Sequence, residues 1–215
     1  MKIAIIGSGF FGLTLGLFLS RENEVHIFEK EKKILNGASA ANQFRFHLGY
    51  HYPRSQKTVT EINKSKNMFI KYYGKTIFQK TLNYYLIADE STVDFGQYKK
   101  FLKKNRLYYK IINQVIPNKK IDKKILTNEK ILNYFRFKKI ISKKIKNSKL
   151  KINLNKQFKK SFLKNYDKVI VATYSNNNKI LENLGVKKLN DFKFELVEKI
   201  VIKLPKKFCN KSFVV

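Results

Sequence analysis

The chain predicts an α/β fold in which a doubly wound parallel sheet carries an inserted α+β region. Three observations predict it. Ile3-Ala4-Ile5-Ile6 is a continuous apolar run closed by Gly7. Val25-His26-Ile27-Phe28 is a second such run, ended by Glu29 and separated from the first by the helical stretch Phe10 to Ser20. Val169-Ile170-Val171-Ala172 repeats the fully apolar pattern far downstream. Short apolar runs of this kind belong to strands covered on both faces, the condition of a parallel sheet flanked by helices.

Each element follows from its own pattern. Leu13, Leu17, Phe18 and Leu19 set the helical spacing of the first crossover, and right-handed connection makes the two strands around it parallel neighbours. Residues 34–52 mix Gly, Ala, Asn and aromatics with no period and read as an irregular, site-building loop. Pro53 opens a helix expected to run through Tyr73. Leu82 to Ala88 reads as a strand, Phe95 to Lys104 as a short helix and Leu107 to Ile112 as a strand. Asn128 to Lys146 reads as one helix with Ile131, Leu132, Phe135, Ile140 and Ile141 inward, followed by a strand over Leu150 to Leu154. Val169 to Ala172 is expected to return to the first sheet, and Phe194 to Leu204 reads as a strand of the inserted region. The boundaries predicted are 1–74 and 114–189 for the doubly wound domain, and 75–113 with 190–215 for the inserted region.

Composition narrows the function. The 215 residues are 43% hydrophobic, which suits one good core or one core with a small appendage and excludes a disordered tail. The formal charge of +31 invites a nucleic-acid reading. Residues 1–60 hold eight basic and four acidic side chains, so the remainder carries +27, spread diffusely. Only five of the 46 basic residues are Arg, the side chain preferred for phosphate and base recognition, and Lys keeps company with Ile and Asn as codon bias in a low-GC genome would produce. Lysines interleaved with aromatics at 99–110 and 134–146 fall at core spacing and read as a solvated face, so nucleic acid is not the expected partner. One cysteine, Cys209, excludes an internal disulfide and a cysteine-based metal site, and fits a cytoplasmic protein. The N-terminus imitates a secretory signal but is interrupted by Gly7-Ser8-Gly9. No run approaches the about 18 apolar residues of a membrane span. Three histidines with scattered acids give no metal-ligand spacing.

The chemistry is concentrated in the first sixty residues. Gly7-x-Gly9-x-x-Gly12 follows a buried strand and opens a helix, and Glu29 lies 22 residues beyond Gly7 at the end of the second strand. Gly7 permits a tight turn, Gly9 lets backbone approach a pyrophosphate, and Gly12 lets helix and strand pack closely. The helix N-terminus offers free N–H groups to phosphate, and Glu29 accepts from ribose hydroxyls while disfavouring a 2′-phosphate. This is a Rossmann-like site for an adenine dinucleotide, FAD or NAD rather than NADP. Phe10, Phe11 and Lys30 are included among its contacts.

The segment from Ser39 through Asn42, Gln43, Phe44, Arg45, Phe46, His47, Leu48, Gly49, Tyr50, His51 and Tyr52 to Ser55 resembles the FAD-dependent oxidoreductases of the D-amino-acid oxidase superfamily. In that group a small-residue loop precedes a His-x-Gly step and an aromatic pair. Tyr166-Asp167-Lys168-Val169-Ile170-Val171-Ala172-Thr173 is similar to the family's strand beside the dinucleotide. The resemblance implies FAD as cofactor. It further implies that Ser39, Ala40, Asn42 and Gln43 lie along the pyrophosphate and flavin, that His47 and Gly49 face the ring, and that Ala172 and Thr173 end the neighbouring strand. Where many members continue with Gly, this chain has Tyr174. Members are also considerably longer, with a glycine-rich return segment near the flavin; this chain resembles their N-terminal half to two-thirds, as a truncated reading frame would.

Individual residues leave alternatives open. His47 fits a general base or a packing residue, with His51 a partner two residues on. Tyr50, Tyr52 and Arg54 are candidates for a substrate carboxylate, although Arg54 after Pro53 fits a helix cap equally. His26, within a strand, reads as structural. The function expected is oxidation of a CH–NH or CH–OH group of a small substrate by hydride transfer to flavin, with an acceptor of unspecified identity. An NAD-dependent Rossmann dehydrogenase and a catalytically incomplete flavoenzyme fragment are the alternatives.

Overall fold

The computed structural model describes residues 1–113, 121–188, 190–195, 198, 200 and 202–215. In chain order the elements are β1 (Lys2–Ile6), α1 (Phe10–Leu19), β2 (Glu24–Phe28), β3 (Arg45–Phe46), α2 (Gln56–Tyr73), β4 (Phe78–Gln79), β5 (Leu82–Ala88), α3 (Phe95–Lys104), β6 (Tyr109–Ile111), β7 (Ile121–Thr127), β8 (Lys130–Leu132), α4 (Tyr134–Lys146), β9 (Lys151–Asn153), β10 (Lys168–Val171), α5 (Asn177–Asn183) and β11 (Lys211–Val214). They form two units, Met1–Gln43 with Lys138–Ile200, and Phe44–Phe137 with Val201–Val215. The divisions predicted from the sequence lie at 74/75, 113/114 and 189/190. They fall instead at 43/44, 137/138 and 200/201, the first two because β3 and β4 pair with β8 and so belong with the second unit.

The first unit is built on a parallel sheet of order β10-β1-β2-β9. β1 is central, which is why Ile3, Ala4, Ile5 and Ile6 are all buried with no polar alternation. Asp167 fixes where β10 meets it: its carboxylate accepts the Lys2 N–H at 2.7 Å and its own N–H donates to the Lys2 carbonyl. α1 buries Gly12, Leu13, Gly16 and Leu17. Gly16 sits where a Cβ would come within 2.9 Å of Ile27 Cδ1 and 3.1 Å of Leu150 Cδ1, so its lack of a side chain sets how closely helix and sheet approach. Phe18, one of the residues that set the helical spacing, is exposed, and the Arg21 guanidinium lies 5.3 Å from its ring centre.

The second unit contains a sheet of order β11-β5-β7-β6, antiparallel except for the β11–β5 pair, and a smaller antiparallel sheet of order β3-β8-β4. Its core gathers Tyr50, Tyr85, Ile87, Tyr98, Leu102 and Ile125. α3 starts at Phe95 because the Asp94 carboxylate accepts the Gln97 N–H at 2.9 Å. α2 starts at Gln56 rather than Pro53 because Ser55 is its cap, accepting from the Thr58 N–H. The expected helix over Asn128 to Lys146 joins two elements. Lys130–Leu132 is the strand β8, and the helix begins only at Tyr134, after Asn133 accepts the Arg136 N–H at 3.0 Å. Phe135 is accordingly exposed and not inward. Of the strand expected over 194–204, residues 196, 197, 199 and 201 lie outside the described residues, and the others form no strand. Among the described residues, no helix is long and apolar enough to cross a membrane.

The close approach at Gly16 yields a prediction. Gly16→Val forces Ile27 and Leu150 apart, an overpacking that costs about 1–3 kcal/mol. The urea midpoint should fall accordingly, and an unchanged midpoint would show that the helix is free to move outward.

Candidate functional site

The turn between β1 and α1 shows why three glycines stand there. Gly7 has φ +104°, and a Cβ on it would meet the Ala172 carbonyl oxygen at 2.6 Å. A Cβ on Gly12 would run into the Gly7 carbonyl. Gly9 differs from both. Its Cβ would meet only Ser39 Oγ, at 3.4 Å, with no other atom of the chain beyond its immediate neighbours within 4 Å.

Gly9 caps α1 with no side chain of its own, and the cap is supplied from a distance: Ser39 Oγ accepts the Phe10 N–H at 2.9 Å. Leu13 N–H donates to the Gly9 carbonyl, while the amides of Gly9, Phe11 and Gly12 have no partner among the described residues. Unpaired N–H groups at the positive end of a helix form a cradle for an anion such as a pyrophosphate. Ser39 is itself held in a tight turn by the Ala40 N–H to Gly37 carbonyl bond and by Asn42 Nδ2, which donates to the carbonyls of Ala38 and Ser39. The side-chain N–H of Asn42 is thus engaged within the loop. Gln43 is exposed.

Glu29 ends the second strand beside this turn. Its Oε2 accepts from both the N–H and the hydroxyl of Ser8, each at 2.8 Å, and its Oε1 accepts the Glu31 N–H at 2.9 Å. Oε1 keeps a lone pair for a further donor. The carboxylate is therefore fixed before any ligand arrives. Phe10 and Phe11 stack edge to face at 5.2 Å, with Phe11 exposed, and Lys30 points to solvent at 3.8 Å from Glu31.

On the other side of the turn, Ala172 N–H donates to the Ile6 carbonyl, and Thr173 donates through both its N–H and its hydroxyl to Asn177 Oδ1 at 2.9 Å. Tyr174 follows at φ +58°. This is the left-handed conformation that glycine adopts without cost and that is uncommon for a tyrosine. His26 is structural, as expected: Nδ1 meets the Tyr166 hydroxyl at 2.8 Å and Nε2 lies 3.0 Å from Glu24.

The second unit holds a cluster that sequence reasoning missed. Glu129, between β7 and β8, is buried, and its carboxylate meets donors from three segments. Tyr85 OH donates to Oε2 at 2.6 Å, Arg45 Nη1 lies 3.2 Å from the same oxygen, and the Leu48 N–H donates to Oε1 at 3.2 Å. His47 Nδ1 is 3.5 Å from Oε1. Arg45 is anchored further by Ser212 Oγ and the Phe213 carbonyl. Burial alone would raise the Glu129 pKa, but the imidazole of His47, the Tyr85 hydroxyl and the Leu48 amide outweigh it and hold the carboxyl below its ordinary value.

His47 is half-buried, with the rings of His51 and Tyr52 each 5.7 Å away. Burial first, and then the neighbouring His47, hold the His51 imidazole below its ordinary pKa. Arg54 is exposed. Tyr50, expected at a substrate, is instead a core residue: it is 1% exposed, its hydroxyl meets the Tyr108 carbonyl at 2.7 Å and Asn128 at 2.5 Å, and burial pushes its phenol up to about 12. A phenol so enclosed has no face left for a substrate.

No protein-family model matches the chain. One curated relative is an FAD-dependent monooxygenase of Fusarium mangiferae, 30% identical over 100 residues, which are 46% of this chain and 27% of that protein. Among solved structures, glycine oxidase from Geobacillus kaustophilus superposes with a TM-score of 0.69 at 14% identity, over 86% of this chain and 58% of its own. L-proline dehydrogenase from P. horikoshii gives 0.66 at 19%, over 86% and 56%. L-amino acid deaminase from Proteus vulgaris gives 0.59 at 15%, over 86% and 50%. The fold is the one these three structures share, and the chain spans half to 58% of their length and about a quarter of the curated relative.

The charge on Glu129 gives a testable pH dependence. A carboxyl whose folded pKa is depressed stabilises the fold above its unfolded value and loses that contribution as pH falls through the folded value. Urea midpoints should therefore decline as pH drops below about 4.5, and decline less steeply in Glu129→Gln. Equal declines in the two proteins would show that this carboxylate does not govern acid stability.

Proposed function

We propose that the chain binds FAD and belongs to an oxidoreductase that oxidises a CH–NH or CH–OH group of a small substrate. One observation carries the proposal: the amides of Gly9, Phe11 and Gly12 stand unpaired at the start of α1 beside a carboxylate already fixed by Ser8 and Glu31. That arrangement fits a pyrophosphate and an adjacent ribose. The resident carboxylate favours a dinucleotide with a free 2′-hydroxyl. FAD is preferred over NAD because the curated relative is FAD-dependent and because the superposed structures are an oxidase, a dehydrogenase and a deaminase of amino acids.

When bound, the flavin would supply the acceptor for a hydride from the substrate carbon. The chain's own groups do the rest. Gly9, Phe11 and Gly12 bind the phosphates through backbone N–H, with Ser39 fixing the helix end and Ala172 and Thr173 walling the turn. Glu29 orients the ribose. His47 takes the proton released from the substrate's amine or hydroxyl on a ring nitrogen. Arg54 offers a guanidinium fork to a substrate carboxylate, and Tyr52 shapes the surface beside His47. The single cysteine supports a cytoplasmic setting.

The test is the visible spectrum of the chain after incubation with FAD and gel filtration. A co-eluting flavin spectrum is expected, and a colourless protein would overturn the proposal. Gly9→Val should fold normally, because its side chain enters open space, yet elute colourless. His47→Gln should retain flavin and lose about 10²–10⁴-fold in the rate of anaerobic flavin reduction by amino or hydroxy acids. Retention of that rate would remove His47 from the chemistry.

A further inference from the structure

We infer that Glu129 is a positioning residue that holds the neutral imidazole of His47 with its proton on Nδ1, leaving Nε2 as the basic nitrogen. The inference takes its functional meaning from the reading of His47 as proton acceptor, but its test is independent of that reading.

His47 Nδ1 is buried and makes no hydrogen bond of good geometry among the described residues; Glu129 Oε1 lies 3.5 Å from it. A buried ring nitrogen rarely goes without a partner. An ionised carboxylate only accepts, so the nitrogen facing it must carry the hydrogen, and in a neutral imidazole the other nitrogen then has the lone pair.

The remaining groups around His47 do not compete for Nδ1. Arg45 on β3 and the Tyr85 hydroxyl on β5 both point at Oε2, the far oxygen of Glu129. His51 and Tyr52 meet the imidazole as rings, with centroids 5.7 Å away. The carboxylate is also not free to turn. Oε2 is pinned by two donors and Oε1 by the Leu48 N–H, so Oε1 presents a fixed acceptor to the imidazole. The Leu48 amide adjoins His47 in the chain, and the oxygen that holds this backbone amide is the one that faces the imidazole.

Glu129→Gln makes the inference sharp. The amide oxygen will turn toward Arg45 and Tyr85, because two donors converge there and one is charged. Its NH₂, which gives up the Leu48 N–H bond, then faces His47 Nδ1 as a donor, and the imidazole must answer as an acceptor. The proton should move to Nε2.

The experiment is ¹⁵N–¹H correlation NMR of the imidazole nitrogens of the full chain without added flavin, at about pH 9, where histidines are neutral. His47 is assigned by comparison with His47→Gln. The expected result is an Nδ1–H tautomer in the wild-type chain, in about tenfold excess for a hydrogen bond worth about 1.4 kcal/mol, and inversion to Nε2–H in Glu129→Gln. An Nε2–H tautomer in the wild type would overturn the inference. So would the same tautomer in both proteins. If the variant does not fold, the wild-type tautomer alone decides. Flavin reduction by His47→Gln tests the other reading, so either can fail while the other is still measured.

Discussion

The close approach of α1 to β1 is the constraint on which the first unit depends. A helix can begin so soon after a buried strand only if the chain reverses in a turn with a positive φ, and Gly7 provides it at +104°. The helix then crosses the carbonyl of Gly7, and any side chain at Gly12 would collide with that carbonyl. Gly16, one turn on, repeats the demand against Ile27 and Leu150. Together these glycines press the helix onto the sheet and aim its first amides past the end of β1. The same contact that buries Leu13 and Leu17 therefore leaves the first amides of the helix unpaired, so packing and the proposed phosphate binding share one geometry in this unit.

A different constraint organises the second unit. A carboxylate removed from water is tolerated only where donors replace the lost hydration, and Glu129 finds them on β3, on β5 and in the loop after β3. Its backbone carbonyl also accepts from Asn83 Nδ2 at 2.7 Å. These bonds tie the small sheet to the larger one across separations of 44 to 84 residues. Removing any one partner would leave a buried charge short of compensation, which is why the cluster fixes the loop carrying His47 more firmly than packing alone would.

Much of the first unit was legible in the sequence. The glycine turn, the acid at Glu29 and the apolar strands are local signals, each read within a few residues, and β5 and α3 were legible for the same reason. The second site was not. Glu129 is one acid in a lysine-rich stretch, and its partners Arg45, His47, Leu48 and Tyr85 are distant in the chain. The available signal was weak: a lone Glu at the end of an apolar run, next to a strand short enough to be absorbed into the helical period of α4. Tyr50 misled in the opposite direction. It stands in a motif of exposed histidine and aromatics, and only the fold shows that β5, α3 and the 105–108 turn close over it. Tyr174 takes a left-handed backbone conformation that its residue type does not signal.

The unpaired amides at the start of α1 are the groups on which phosphate binding would depend, and they can be observed directly. Backbone ¹⁵N–¹H spectra of the labelled chain, recorded during titration with FAD, report on Gly9, Phe11 and Gly12 individually. The account predicts that these three resonances, together with those of Ser8 and Glu29, shift first and most strongly, saturating at one equivalent. Binding that leaves them unmoved while perturbing other residues would contradict it, as would the absence of any change at concentrations that saturate flavoproteins.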